Sequence, residues 1–144
     1  MYKTLSLIFM FIIFLPACST EDKINNIDNP QLFAVAFFEA VYNDKDINKA
    51  ASACSPKLAR LLLHYKTPQS VSRHLFNMSY DEVTEIEPDK SGLKVRELFK
   101  DKVEITIYIS GYFDEDIIRN VKRLSLIKNN EGQWIIDEIL KDPF

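Results

Sequence analysis

The 144-residue chain carries 18 Lys+Arg against 21 Asp+Glu, and 47% of it is hydrophobic. That length suffices for one ordinary core and not for two full domains, and the missing basic surplus argues against nucleic acid as a partner. Two cysteines, two histidines and three glycines leave little material for a disulfide scaffold, a metal cluster or a phosphate-cradling loop, so no metal and no cofactor are expected.

The first residues have the layout of a secretory signal. Lys3 supplies a positive charge, and an apolar run from Leu5 to Leu15, broken only by Ser6, is closed by Pro16. A permanent span needs about 20 apolar residues, so this run is better suited to removal. The segment Leu15-Pro16-Ala17-Cys18 resembles the lipobox of bacterial lipoproteins. That resemblance implies a signal peptide over residues 1–17, cleavage before Cys18, and lipid on the Cys18 sulfur as the link to a membrane. In a Gram-negative cell, lipoprotein sorting turns on the residue after the lipidated cysteine, where aspartate retains proteins in the inner membrane. Ser19 therefore implies the outer membrane, facing the periplasm, with the inner membrane and the cell surface left open. Several acyl chains are expected there, because one chain anchors only marginally.

Residues 18–29 read as the lipidated cysteine and a flexible tether, since Ser19 to Asn29 is polar and poor in aromatics. Residues 30–144 read as the folded domain. Asn29-Pro30 opens a helix with a capping side chain and a proline in the first turn. Leu32, Phe33, Ala36, Phe37, Ala40 and Val41 then recur at helical spacing up to Tyr42. Asn43 to Asp46 breaks the pattern, and Asp46 caps a second helix over Ile47–Ala53. Ser55-Pro56 repeats the cap-plus-proline signal for a third helix, Lys57–Tyr65, with Leu58, Leu61 and Leu62 inward. Cys54, among Ala50, Ala51 and Ala53, reads as an inert core thiol, since lipid on Cys18 leaves it no partner.

After Thr67-Pro68 the period becomes two. Val103, Ile105, Ile107 and Ile109 alternate with Glu104, Thr106, Tyr108 and Ser110, the mark of a half-buried strand. Further strands are expected over Val71–Tyr80, Glu82–Glu87 and Leu93–Phe99. Val121–Lys128 and Gln133–Leu140 flank Asn129-Asn130-Glu131-Gly132, a hairpin turn. Helices segregated from a mostly antiparallel sheet make the class α+β.

Three segments carry a wider resemblance. They are Phe37 to Asp46, Ala50 to Leu58, and the closing strand Gly132-Gln133-Trp134-Ile135-Ile136-Asp137-Glu138-Ile139. Together they resemble the NTF2-like, or cystatin-like α+β cone, domains, and among these the small lipoproteins of unassigned function. The resemblance spans about Pro30 to Leu140 and implies N-terminal helices packed on a curved sheet with a pocket at its open end. That fold hosts enzymes such as ketosteroid isomerase, carriers and interaction modules, so it decides little about function.

An enzyme of this fold would need acid–base groups aimed into the cone, and the candidates are His64, His74, Asp81 and Tyr108. His64, at a helix end, has a simpler role beside the helix dipole, and a turn aspartate such as Asp81 usually serves its own backbone. The acidic run Asp114-Glu115-Asp116 lacks calcium-loop spacing and reads as a solvated turn. Arg73, His74 and Tyr108 are the residues expected to touch a ligand or partner. The expected function is a non-enzymatic binding or assembly module of the cell envelope, held at the membrane through Cys18. Its partner is an envelope protein or a small apolar ligand, with a carrier as the second reading and a hydratase or isomerase as the third. Fatty-acid labelling checks the anchor: Cys18→Ser should abolish incorporation, and equal labelling of variant and wild type would remove the lipoprotein reading.

Overall fold

The computed structural model describes residues 24–90, 96–99 and 101–142. The segment expected to be a signal peptide, Cys18 and Ser19 lie outside the described residues, as does the start of the strand expected from Leu93. The packed chain begins earlier than the tether reading implies. A 3₁₀ turn at Ile24–Asn26 puts Ile24 into the core, and the Trp134 indole N–H donates to the Asp28 carbonyl at 2.7 Å. An isolated isoleucine in a polar stretch looks solvated in sequence, yet it gains by burial once a core stands beside it.

Helix α1 spans Pro30–Tyr42. The Asn29 side chain accepts from the amides of Gln31 and Leu32, and Pro30 occupies the first turn. Helix α2 (Ile47–Ser52) is capped by Asp46, which accepts from the Lys49 amide. Helix α3 spans Pro56–Tyr65. Its N-terminal Ser55 forms no side-chain cap; its hydroxyl donates instead to the Asp137 carbonyl at 3.4 Å. Leu58 and Leu62 are buried as expected, but Leu61 is exposed, and so is Leu32 of α1. The inward face of each helix is narrower at these points than its apolar residues suggest.

The expected strand over Val71–Tyr80 does not exist. Thr67 caps a short helix α4 (Pro68–Val71), which runs into a π-helical turn, Ser72–Phe76. Asn77 at φ 53° ends that turn in the left-handed region, which asparagine tolerates better than most residues. Thr67-Pro68 carries the same cap-plus-proline signal as the two earlier helix starts. Val71 and Phe76 anchor the segment in the core.

The strands are β1 (Glu82–Pro88), β2 (Arg96–Phe99), β3 (Lys102–Phe113), β4 (Asp116–Lys128) and β5 (Trp134–Leu140). They form an antiparallel sheet in the order β1, β3, β4, β5, with β2 also on β3. β1 pairs with the Ile107–Tyr112 half of β3 and β2 with the Lys102–Glu104 half. β3 and β4 pair along their whole length, from Lys102 opposite Ile127 to Phe113 opposite Asp116. The edge at β5 is met by the α2–α3 junction: the Ser55 amide donates to the Ile136 carbonyl, and the Ile136 amide to the Ala53 carbonyl, each at 2.8 Å.

The β3 alternation is as read. Val103, Ile105, Ile107 and Ile109 are buried and their neighbours half-buried. α1 packs on β1, β3 and β5, and α3 on β5, so helices cover one face. Phe33, Phe37, Phe38 and Phe76 are fully buried between the layers. Phe37 and Phe38 meet edge to face at 5.2 Å, and Phe38 meets Phe76 likewise at 5.4 Å, a geometry favoured by the ring quadrupoles.

Gly111 permits β1 to close on β3. A Cβ there would stand 2.3 Å from the Glu82 carbonyl oxygen and 2.8 Å from the Tyr80 ring. Gly111→Ala should therefore lower stability by about 1–3 kcal/mol, the usual range for forced overpacking. Urea unfolding checks this, and an unchanged midpoint would show that β1 is less tightly held than described.

Candidate functional site

Tyr42 and Tyr80 seal one end of the core. The Tyr42 hydroxyl donates to the Met78 carbonyl at 2.8 Å, and the Tyr80 hydroxyl to the Ile109 carbonyl at 2.9 Å. The Asn120 amide donates to the Tyr80 oxygen at 2.9 Å, and the two rings meet edge to face at 5.5 Å. Burial pushes both phenols above their ordinary range, because a phenolate would lose its hydration there. Hydroxyls already committed to backbone carbonyls serve packing and register, not proton transfer to a ligand.

Outside this seal lies an open hollow of about 570 Å³. Its walls are the end of α1 with Lys45, the α4 and π-turn region with Arg73, the start of β1 with Asp81 and Glu82, and the ring of Phe113. Asp81 does not serve its own turn. Its carboxylate accepts from the Asp114 amide at 2.8 Å, while its own amide donates to the Tyr112 carbonyl, so it fixes the end of the β3–β4 hairpin. That hairpin turns tightly, with Asp114 and Glu115 at φ 50° and 69°, as two-residue connections require.

The three residues expected to touch a ligand do not converge. Arg73 lines this hollow. His74 sits on an exposed π turn, not a strand, with its ring stacked on Tyr65 at 5.6 Å and 16°. Tyr108 occupies the sheet face away from α1, opposite in direction to Ile107 and Ile109, so it does not point among the helices. The Arg119 guanidinium lies 4.6 Å from its ring centre and also bonds Glu87 at 2.9 Å. These groups line a second, shallower hollow of about 640 Å³ with Pro88, Lys90 and Val121. His64 is exposed at the end of α3, its ring edge to face with Tyr65.

The sequence reading overlooked the hairpin end as a feature. Tyr112, Phe113 and Ile117 are exposed by 40%, 47% and 72%, and Tyr112 stands opposite Ile117 in the register. The available signal was an aromatic pair immediately before an acidic turn and a further isoleucine immediately after it.

Cys54 is buried, with its thiol 3.4 Å from the Ala50 carbonyl, and desolvation pushes its pKa from 9.0 up to about 12. The unfolded chain releases this proton above about pH 9, whereas the folded chain holds it until about 12. Folding then binds the extra proton, so the stabilisation is complete below pH 9 and declines as pH rises toward 12. The raised phenols of Tyr42 and Tyr80 add to the decline at higher pH. Denaturant midpoints should fall more steeply between pH 9 and 10 for wild type than for Cys54→Ala, in which only the decline from the two phenols remains. Rapid alkylation of the native thiol at pH 8 would contradict its burial.

No helix among the described residues is long and apolar enough to cross a membrane. No protein-family model, no curated protein and no solved structure matches the chain, so the reading of its function rests on the geometry above.

Proposed function

We propose that the chain is a lipid-tethered module of the cell envelope, built on an NTF2-like cone, which binds or organises another protein and performs no catalysis. The observation that carries this reading is the filled interior. Phe33, Phe37, Phe38 and Phe76 occupy the space between α1 and the sheet, where a carrier would keep a hollow for its ligand. The candidate acid–base groups also support it, since His64, His74 and Tyr108 lie on separate surfaces and Asp81 is engaged in holding a turn. Catalysis would need them within hydrogen-bond reach of one reacting atom.

The Leu15 to Cys18 segment and Ser19 support tethering at the periplasmic face of the outer membrane. A module held there by a short polar segment acts close to the lipid surface. Purification of the full chain from detergent-solubilised membranes tests the reading. A protein partner in fixed ratio, with no stoichiometric lipid-like molecule in an organic extract, is expected. A stoichiometric extractable ligand would replace this reading with the carrier. On a sucrose gradient the wild type should band with the outer membrane and Ser19→Asp should shift inward.

A further inference from the structure

We propose that the end of the β3–β4 hairpin is the docking surface of this module, and that it takes a protein segment combining apolar side chains with Lys or Arg. The inference rests on the partner-binding reading above and names the surface and the chemistry of the partner. Tyr112 and Ile117 face each other across the last pairs of the hairpin and project on the side away from α1, while Phe113 stands on the other side as a wall of the 570 Å³ hollow. All three are exposed, so the hairpin presents large apolar side chains on both of its faces within a few residues. Scattered single exposed hydrophobics are ordinary on a protein surface, whereas Tyr112 and Ile117 adjoin across one register pair, as the side chains of a contact site do.

Charge selects the occupant. Asp114 and Glu115 of the turn and Asp116 at the start of β4 stand between these apolar residues and are exposed, and none of them is in an ion pair among the described residues. Glu82 lies directly opposite Tyr112 on β1. The cations lining the hollow are Lys45 and Arg73, and Arg119, which shares the outer face with Tyr112 and Ile117, is taken up by Glu87 at 2.9 Å. An apolar patch rimmed by carboxylates attracts a cationic, amphipathic segment and repels the anionic headgroups of a membrane surface. Burying Tyr and Phe beside such charges matches the anatomy of interfaces, where aromatic side chains dominate the contact and charged groups set orientation and rate.

Site-specific photocrosslinking in intact cells tests this with the full chain. Phe113 and Ile117 are replaced in turn by p-benzoylphenylalanine, with Glu131 in the β4–β5 turn, at the far end of β4, as the control and Leu61 and Leu63 on α3 as alternative exposed positions. The expected result is one protein adduct at 113 and 117 and none at 131, with the crosslinked peptide rich in Lys or Arg among apolar residues. Neutralising the turn by Asp114→Asn, Glu115→Gln and Asp116→Asn together should reduce the adduct at 113 at least several-fold. Lipid adducts, an adduct to a second copy of the chain, an acidic or uncharged crosslinked peptide, or a yield insensitive to neutralisation would each overturn the proposal. Protein adducts confined to Leu61 or Leu63 would remove the hairpin while leaving the partner-binding reading in place. The absence of protein adducts at every position would remove both.

Discussion

The contact between the aromatic side of α1 and the isoleucine row of β3 is the constraint on which the molecule depends. Phe33, Phe37 and Phe38 lie on adjacent faces of one helix, so α1 must be covered from more than one direction. The sheet covers one side through Ile105, Ile107 and Ile109, and Phe76 from the π turn closes against the rings from another. Burying each such side chain stabilises the fold by about 1.5–3 kcal/mol relative to leaving it exposed. The position of the π turn, the seal of Tyr42 and Tyr80 and the seat of Met78 all follow from closing this cluster.

Under the binding role proposed for the chain, the same constraint moves function to the periphery. An interior filled by phenylalanine, with the hydroxyls at its end bonded to backbone carbonyls, has its polar groups spent on structure. Chemistry available to a partner then lies on the outer sheet face, in the hollow beside Arg73, and at the hairpin end. The outer face is largely self-satisfied: Arg123 bonds Glu104 at 2.8 Å, and Arg119 is shared between Glu87 and the Tyr108 ring. Partly exposed surface pairs of this kind contribute little to stability, but they keep a half-buried sheet face hydrated. The hairpin end differs because its apolar side chains are exposed and Asp114, Glu115 and Asp116 form no ion pair among the described residues.

Lys122 shows how strongly the sheet's register overrides the apparent polarity of a residue. It lies opposite Ile107 on the helix-facing side of β4 and is only 5% exposed. Its ammonium reaches the Asp142 carboxylate beyond β5, at 2.7 and 2.9 Å to the two oxygens. A buried ammonium is tolerated when a partner is supplied, and here the partner lies 20 residues away in sequence. Between Val121 and Leu124, a sequence reading has no reason to place it inside.

Local signals in this chain are those that act over one turn of helix or one pleat of sheet. Asn29-Pro30, Ser55-Pro56 and Thr67-Pro68 mark helix starts because the proline lacks an amide that would go unpaired there. The β3 alternation is legible because a strand places successive side chains on opposite faces, and the Asn129 to Gly132 turn because Gly132 adopts a positive φ of 77°. The proposed anchor rests on a signal of the same local kind, the linear segment Leu15 to Cys18. Tertiary structure decided what covers each face. Val71 to Tyr80 alternates like a strand, yet Val71, Phe76 and Met78 all reach the core from a helical and π-turned path. Leu32 and Leu61 carry the helical period and remain outside, whereas Ile24 and Lys122 sit in polar surroundings and are buried. Periodicity tells which side of an element is apolar, but burial depends on a second element arriving there, and that element is chosen by contacts between residues far apart in the chain.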